Sequence, residues 1–137
     1  MPSQHDKLEA TLARLARRVP DHGFDSLAPQ EQVALLAYST HSTVTNGGFK
    51  RFYEGPMPLS RLVAALRELK LNALAGAAQA TAAAFPTPAL AEDAAARRDH
   101  LADLDTSKQD YAFFRLSSEE LLDAIAAYLK RVEPQKA

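Results

Sequence analysis

Thr45-Asn46-Gly47-Gly48-Phe49-Lys50-Arg51-Phe52-Tyr53 is the stretch on which the reading of the fold turns. Two adjacent glycines close a helix-like run that starts near Pro29, and three aromatic residues follow at i, i+3 and i+4. Glycine reaches positive φ without steric cost and Asn tolerates it better than most residues, so Asn46-Gly47-Gly48 predicts the end of a helix. Residues spaced i, i+3 and i+4 share one side of a helix. Phe49, Phe52 and Tyr53 therefore predict a short second helix with its three rings turned the same way. Gly55-Pro56-Met57-Pro58 then breaks the chain.

Upstream, Pro29 suits the first position of a helix, and it pushes Ala28 toward the extended conformation of an N-cap. Val33, Leu36, Ala37, Thr40 and Val44 form the predicted inward face of that helix. Before it, Leu8, Leu12, Leu15 and Val19 make a narrow apolar stripe that predicts a basic helix from about Lys7 to Arg18, followed by a loop over Val19 to Asp25. A basic amphipathic helix can lie on a membrane. This one lacks bulky aromatics and carries Glu9, so docking on the core is the expected role.

Downstream, Leu59, Leu62, Val63, Leu66 and Leu69 give the clearest helical pattern in the chain, with Arg61, Arg67, Glu68 and Lys70 outward. An alanine-rich helix is predicted over Ala73 to Phe85. Gly76 inside it costs about 1 kcal/mol relative to Ala, which close packing by another helix would explain. A more acidic helix is predicted over Leu90 to Leu104, with Glu92, Asp99 and Asp103 on one side and Asp93 paired with Arg97. Tyr111, Phe113, Phe114 and Leu116 are expected to add aromatic mass to the core. A last helix begins at Ser117 or Ser118, carries acids in its first turn and Lys130 and Arg131 in its last, and closes at Pro134.

Strand patterns are missing, so the fold class is all-α: a compact domain of about six to seven helices. The expected organisation is an N-terminal amphipathic helix and loop over 1–25 packed on a helical domain over 26–134. A chain of 137 residues with 47% apolar side chains can bury its own core. A formal net charge of −1 gives no long-range pull toward nucleic acid or an anionic membrane. No apolar run nears the ~20 residues that span a bilayer, and the first residues have no secretory pattern, so a cytoplasmic location is expected.

Reactive chemistry finds little support in these residues. Cysteine is absent, which removes disulfides, thiolate nucleophiles and Cys-bound metals. His5, His22, His41 and His100 form no HxxxH or HExxH pair. His41, four residues before Thr45, is the most interesting of them, but reads first as a satisfied interior histidine. There is no GxSxG elbow, and Gly47-Gly48 is no phosphate loop. No cofactor and no catalytic residue are expected. Charge is uneven, however: Glu92 to Asp123 carries nine acidic against four basic side chains, which suits oriented docking on a protein.

Asn46-Gly47-Gly48-Phe49 followed by Phe52-Tyr53 resembles the core of the bacterial DNA-mimic protein family. The likeness runs from about Leu27 to Val132. It takes in Pro29 to Glu31, the alanine-rich segment ending at Phe85, Arg97-Arg98 and the Leu121 to Tyr128 pattern. This resemblance implies an all-helical domain and a protein partner; one member imitates duplex DNA and sequesters a transcription factor. DNA mimicry needs a strong negative field, which a near-neutral chain lacks.

The expectation is a non-catalytic interaction module, an inhibitor or regulator of a bacterial protein. Its partner-binding residues would be Asn46, Gly47, Gly48, Phe49, Arg51, Phe52, Tyr53, Glu92, Asp99 and Asp103. The rivals are DNA mimicry, a toxin-immunity role and an enzyme with a pocket near His41 and Asn46. The expected partner is a protein, with a homodimer as a further option, and neither nucleic acid directly nor a membrane.

Overall fold

Helix α2 (Pro29–Glu54) runs through the middle of the molecule, and five of the other six helices touch it. The computed structural model describes residues 3–132, which form seven α-helices and four short 3-10 segments with no strand among them. The expected fold class and helix count are therefore met. In order, the other helices are α1 (Gln4–His22), α3 (Leu59–Glu68), α4 (Asn72–Ala80), α5 (Ala94–Arg97), α6 (Ser107–Phe114) and α7 (Ser118–Val132). Pro134, the expected stop of the last helix and end of the domain, lies outside the described residues.

Caps fix the helix starts. Ser3 and Asp6 form a reciprocal capping box at α1, each side chain accepting from the other's backbone N–H at 3.0 and 3.1 Å. Ser117 and Glu120 do the same before α7. At α2, Ala28 is the extended N-cap and Pro29 the first residue, as expected; Glu31 accepts from the Ala28 N–H at 2.9 Å. Helix α1 is longer than its stripe predicted. It passes through Pro20, whose missing N–H falls on an exposed turn, and stops at Gly23 with φ 83°.

The C-terminus of α3 has an unusual stop. Lys70 takes φ 62° and is the one non-glycine residue with positive φ among those described. Around it the Lys70 N–H donates to the Arg67 carbonyl and the Leu71 N–H to the Leu66 carbonyl, both at 2.9 Å. That is a Schellman turn with lysine where glycine is the usual choice.

The core collects the predicted faces. Leu59, Leu62, Val63, Leu66 and Leu69 are all buried, as are Leu121, Leu122, Ile125 and Tyr128 of α7. Phe49 meets Phe113 edge to face with centroids 5.0 Å apart, and Tyr53 meets Phe85 likewise at 4.9 Å. Each such pair adds roughly 0.5–1.5 kcal/mol beyond the area it buries. Helix α1 places Leu12 in this core and Leu15 in a smaller cluster with Leu27 and Leu35.

Three expectations need correction. The acidic helix predicted over Leu90 to Leu104 is instead a 3-10 segment (Pro88–Glu92), the single turn of α5 and a second 3-10 segment (Arg98–Asp103). Asp93 ends the first and caps α5, accepting from the N–H groups of Ala95 and Ala96 at 3.0 Å. It is thus a cap and not the partner of Arg97. Gly76 is exposed with nothing near the position of a Cβ, so no helix packs on it and nothing in the structure explains it. Tyr111 and Phe114 lie outside the core, and Phe113 alone of the three rings is buried.

Candidate functional site

The glycine stretch builds a kink, and the kink is clasped from another helix. Asn46 and Gly47 stay helical, and Gly48 alone departs, with φ 75° and ψ 177°. This is not the left-handed helical conformation but an extended one of positive φ that is essentially restricted to glycine. The chain resumes as helix at Phe49, so α2 has two limbs, 29–47 and 49–54. The Phe49 N–H, left without an acceptor by the break, donates to Oδ1 of Asp110 at 2.9 Å. Thr106 donates its hydroxyl to the same oxygen at 3.1 Å. Asp110, on α6, therefore acts as a remote N-cap for the second limb.

That geometry sends the aromatic residues inward. Phe49, Phe52 and Tyr53 are 0%, 6% and 1% exposed, so the rings expected at a partner surface are core residues instead. Their i, i+3, i+4 spacing does put them on one side, and the kink turns that side toward α6 and the Phe85 turn. Asn46 and Arg51 remain at the surface. The Asn46 side chain donates to the Ser42 carbonyl at 2.8 Å, and the Arg51 stem covers Gly47.

Arg97, expected as the i, i+4 partner of Asp93, has a buried role that no local pattern announced. Its side chain is wholly buried, and it donates to four backbone carbonyls. Nε reaches Tyr53 at 2.9 Å, Nη1 reaches Ala91 at 2.5 Å, and Nη2 reaches Gly55 at 2.7 Å and Met57 at 3.0 Å. The guanidinium carbon also lies 4.9 Å from the Tyr53 ring centre. Burial pushes its pKa down, and the acidic groups of Tyr53, Glu92 and Asp93 oppose that shift. Arg97 thus ties the end of α2 and the loop after it to the segment carrying the acidic residues.

The three predicted acidic residues do not share a face. Glu92 is engaged: its carboxylate accepts from the Ser60 N–H at 3.0 and 3.2 Å and from the Ser60 hydroxyl at 3.0 Å, capping α3 from a distance. Asp99 and Asp103 are exposed on the second 3-10 segment. A 3-10 helix has about three residues per turn, so positions four apart diverge by roughly 120° instead of aligning. Asp105 follows immediately and is also exposed. Hydrogen bonds from the Ser107 hydroxyl and N–H hold its carboxyl below the usual range, helped by Lys50 and Lys108 and opposed by slight desolvation.

His41 is buried, with Nε2 2.8 Å from the Leu116 carbonyl and its ring stacked on Phe113. Tyr53 donates to the Thr81 hydroxyl, which in turn donates to the Ala78 carbonyl. Burial raises the Tyr53 pKa to about 12, against the lowering effects of the Thr81 contact and of Arg97. A groove of about 620 Å³ lies between α1, α2 and α7, lined by residues such as Leu8, Leu15 and Leu129, and not by His41 or Asn46. Among the described residues no three His, Asp or Glu side chains gather as a metal site requires, and no helix is long and apolar enough to cross a membrane.

A family model described as DMP19-like protein matches residues 25–132. No curated protein and no solved structure matches the chain. The matched span begins after α1 and contains the kink, the Asp110 clasp and the Arg97 hub.

Proposed function

The chain belongs to the DMP19-like family, and on that premise we propose that it is a non-catalytic interaction module that inhibits or regulates a protein partner. The family is one of DNA mimics, which favours a partner with a basic, DNA-binding surface. One observation carries the reading. Arg97 fastens the short segment around it to the end of α2 and the loop after it through the carbonyls of Tyr53, Gly55 and Met57, and the exposed Asp99 and Asp103 stand on that fastened segment, with Asp105 just after it. Carboxylates presented on a rigid base lose little entropy when they dock. The versatile inner groups are already committed: the buried His41, Tyr53 and Arg97 and the half-buried Asp110 each bond a named partner within the fold. In this reading the surface acts and the interior supports it.

The narrower reading, imitation of duplex DNA, is favoured by the family. Against it stand a net charge of −1 and the divergence of Asp99 from Asp103, since duplex DNA presents a regular and dense negative array. The test is affinity capture from the native host with the intact chain and with an Asp99→Lys/Asp103→Lys variant, read by mass spectrometry. The expected result is a partner with a basic face that the variant fails to retain and that rising salt releases. A partner held equally well by both chains would refute the assignment. DNA imitation further requires that duplex DNA compete for that partner; capture without competition would leave the broader module reading standing alone.

A further inference from the structure

Helix α6 is divided between two tasks. Phe113 and Asp110 face the molecule, one in the core and one holding the kink. Tyr111 and Phe114 face water, 61% and 52% exposed, and a spacing of three residues sets their rings one turn apart on the same side. Single exposed apolar residues are ordinary, whereas a paired aromatic patch beside an apolar groove marks an interaction surface. Such a groove lies alongside, about 470 Å³ between the start of α4 and the end of α6. Leu71, Leu74, Ala112 and Leu116 line it, together with Lys70 and Arg115.

The charges beside this patch are positive. Lys108 stands one turn before Tyr111, and Arg115 one turn after, its guanidinium carbon 6.0 Å from the Tyr111 ring centre. The ion pairs among the described residues are His5 with Asp123 and Arg61 with Asp25. Lys70, Lys108 and Arg115 thus have no carboxylate of the described residues within pairing distance. Asp105 acts on Lys108 from further off, but its carboxylate is held by Ser107.

We propose that this face of α6 docks an acidic segment of a protein partner. Its apolar side chains would enter the groove, and its carboxylates would meet Lys70, Lys108 and Arg115. The charge pattern selects this occupant over a second copy of the chain. Pairing two α6 helices about a two-fold axis through the rings sets Lys108 of each against Arg115 of the other, like charge on like charge. A nucleic acid is disfavoured by the near-neutral net charge and by a groove lined with Leu and Ala side chains, which suit aliphatic groups better than bases. The surface is distinct from Asp99 and Asp103, so it stands or falls apart from the function proposed above.

The experiment titrates the full chain into a fluorescein-labelled peptide of about 16 residues, long enough to form helix on docking. The peptide carries leucine at i, i+3, i+4 and i+7 and glutamate at most other positions. Anisotropy reads binding, and amide chemical shifts in the labelled protein read its location. The expected result is saturable binding with shifts confined to α6 and the start of α4. Tyr111→Ser/Phe114→Ser and Lys108→Glu/Arg115→Glu should each weaken it about tenfold or more, and added salt should weaken it too. Circular dichroism confirms that these surface variants keep their helices. Four outcomes overturn the proposal: no binding, equal binding of the same peptide with lysine for glutamate, displacement by a single-stranded oligonucleotide, or a dimer in light scattering that Phe114→Asp dissociates.

Discussion

Replacing Gly48 with alanine tests the account of the kink most directly. At φ 75° and ψ 177° an alanine backbone is strained by about 1–3 kcal/mol. A Cβ built there would lie 2.6 Å from Oδ2 of Asp110, a contact that the carboxylate can relieve only by turning away. Turning breaks its bond to the Phe49 N–H, a hydrogen bond to a charged group worth roughly 1.5–3 kcal/mol. The two terms together give a loss of about 2.5–6 kcal/mol, a large share of the ~5–15 kcal/mol that holds a domain together. Urea unfolding at 25 °C, followed by circular dichroism, measures it. Gly47→Ala is the control: its added Cβ meets only the flexible Arg51 stem, at 2.7 Å from Cδ, and its backbone is helical. That variant should stay within about 1 kcal/mol of the parent. Combining Gly48→Ala with Asp110→Ala should cost about as much as Gly48→Ala alone, a coupling of roughly 1.5–3 kcal/mol, because the one hydrogen bond is lost only once. A Gly48→Ala protein within 1 kcal/mol of the parent, or equal losses at the two glycines, would refute the reasoning.

Other consequences are as specific. Gly76→Ala should stabilise the chain by about 1 kcal/mol in thermal melts, because the site is exposed and open. Lys70→Gly should stabilise it by roughly 1 kcal/mol through relief of the positive φ, whereas Lys70→Ala should give no such gain. Arg97→Met strands four carbonyls and should cost about 3–5 kcal/mol, with Arg97→Lys recovering only a fraction because an ammonium cannot span the same fork. For pH, the folded chain holds the Tyr53 proton more tightly than the unfolded chain does. Stability from this group is therefore complete below about pH 10 and is lost as pH rises toward about 12. Alkaline denaturation should start at higher pH in Tyr53→Phe; an unchanged midpoint would remove Tyr53 as its cause.

Local pattern carried the reading a long way where one face of a helix meets the core. The stripes of α3 and α7 and the Pro29 start stand in the structure where periodicity and capping chemistry put them. The segment 88–103 did not yield to that approach. Alanine-rich sequence favours helix without saying whether the turns close at i+3 or i+4, and the anchoring of this segment comes from Arg97, a residue type that ordinarily lies at the surface. The clasp was hidden for a different reason: Asp110 is 61 residues from Phe49, and no local signal joins them. The division of α6 could have been read. Phe113 takes the core side and Tyr111 and Phe114 the other, so the spacing separates rings that aromatic content alone had grouped together. Of the candidate site, the NGGF stretch was correctly singled out as the pivot of the fold, but its rings serve the interior.

The Asp110 clasp has a further consequence for how the molecule breathes. The Phe49 amide proton is guarded by an acceptor on α6 and not by its own helix. Fraying of α2 alone cannot expose it to solvent water; α6 must lift away. Its deuterium uptake therefore clocks the parting of two helices.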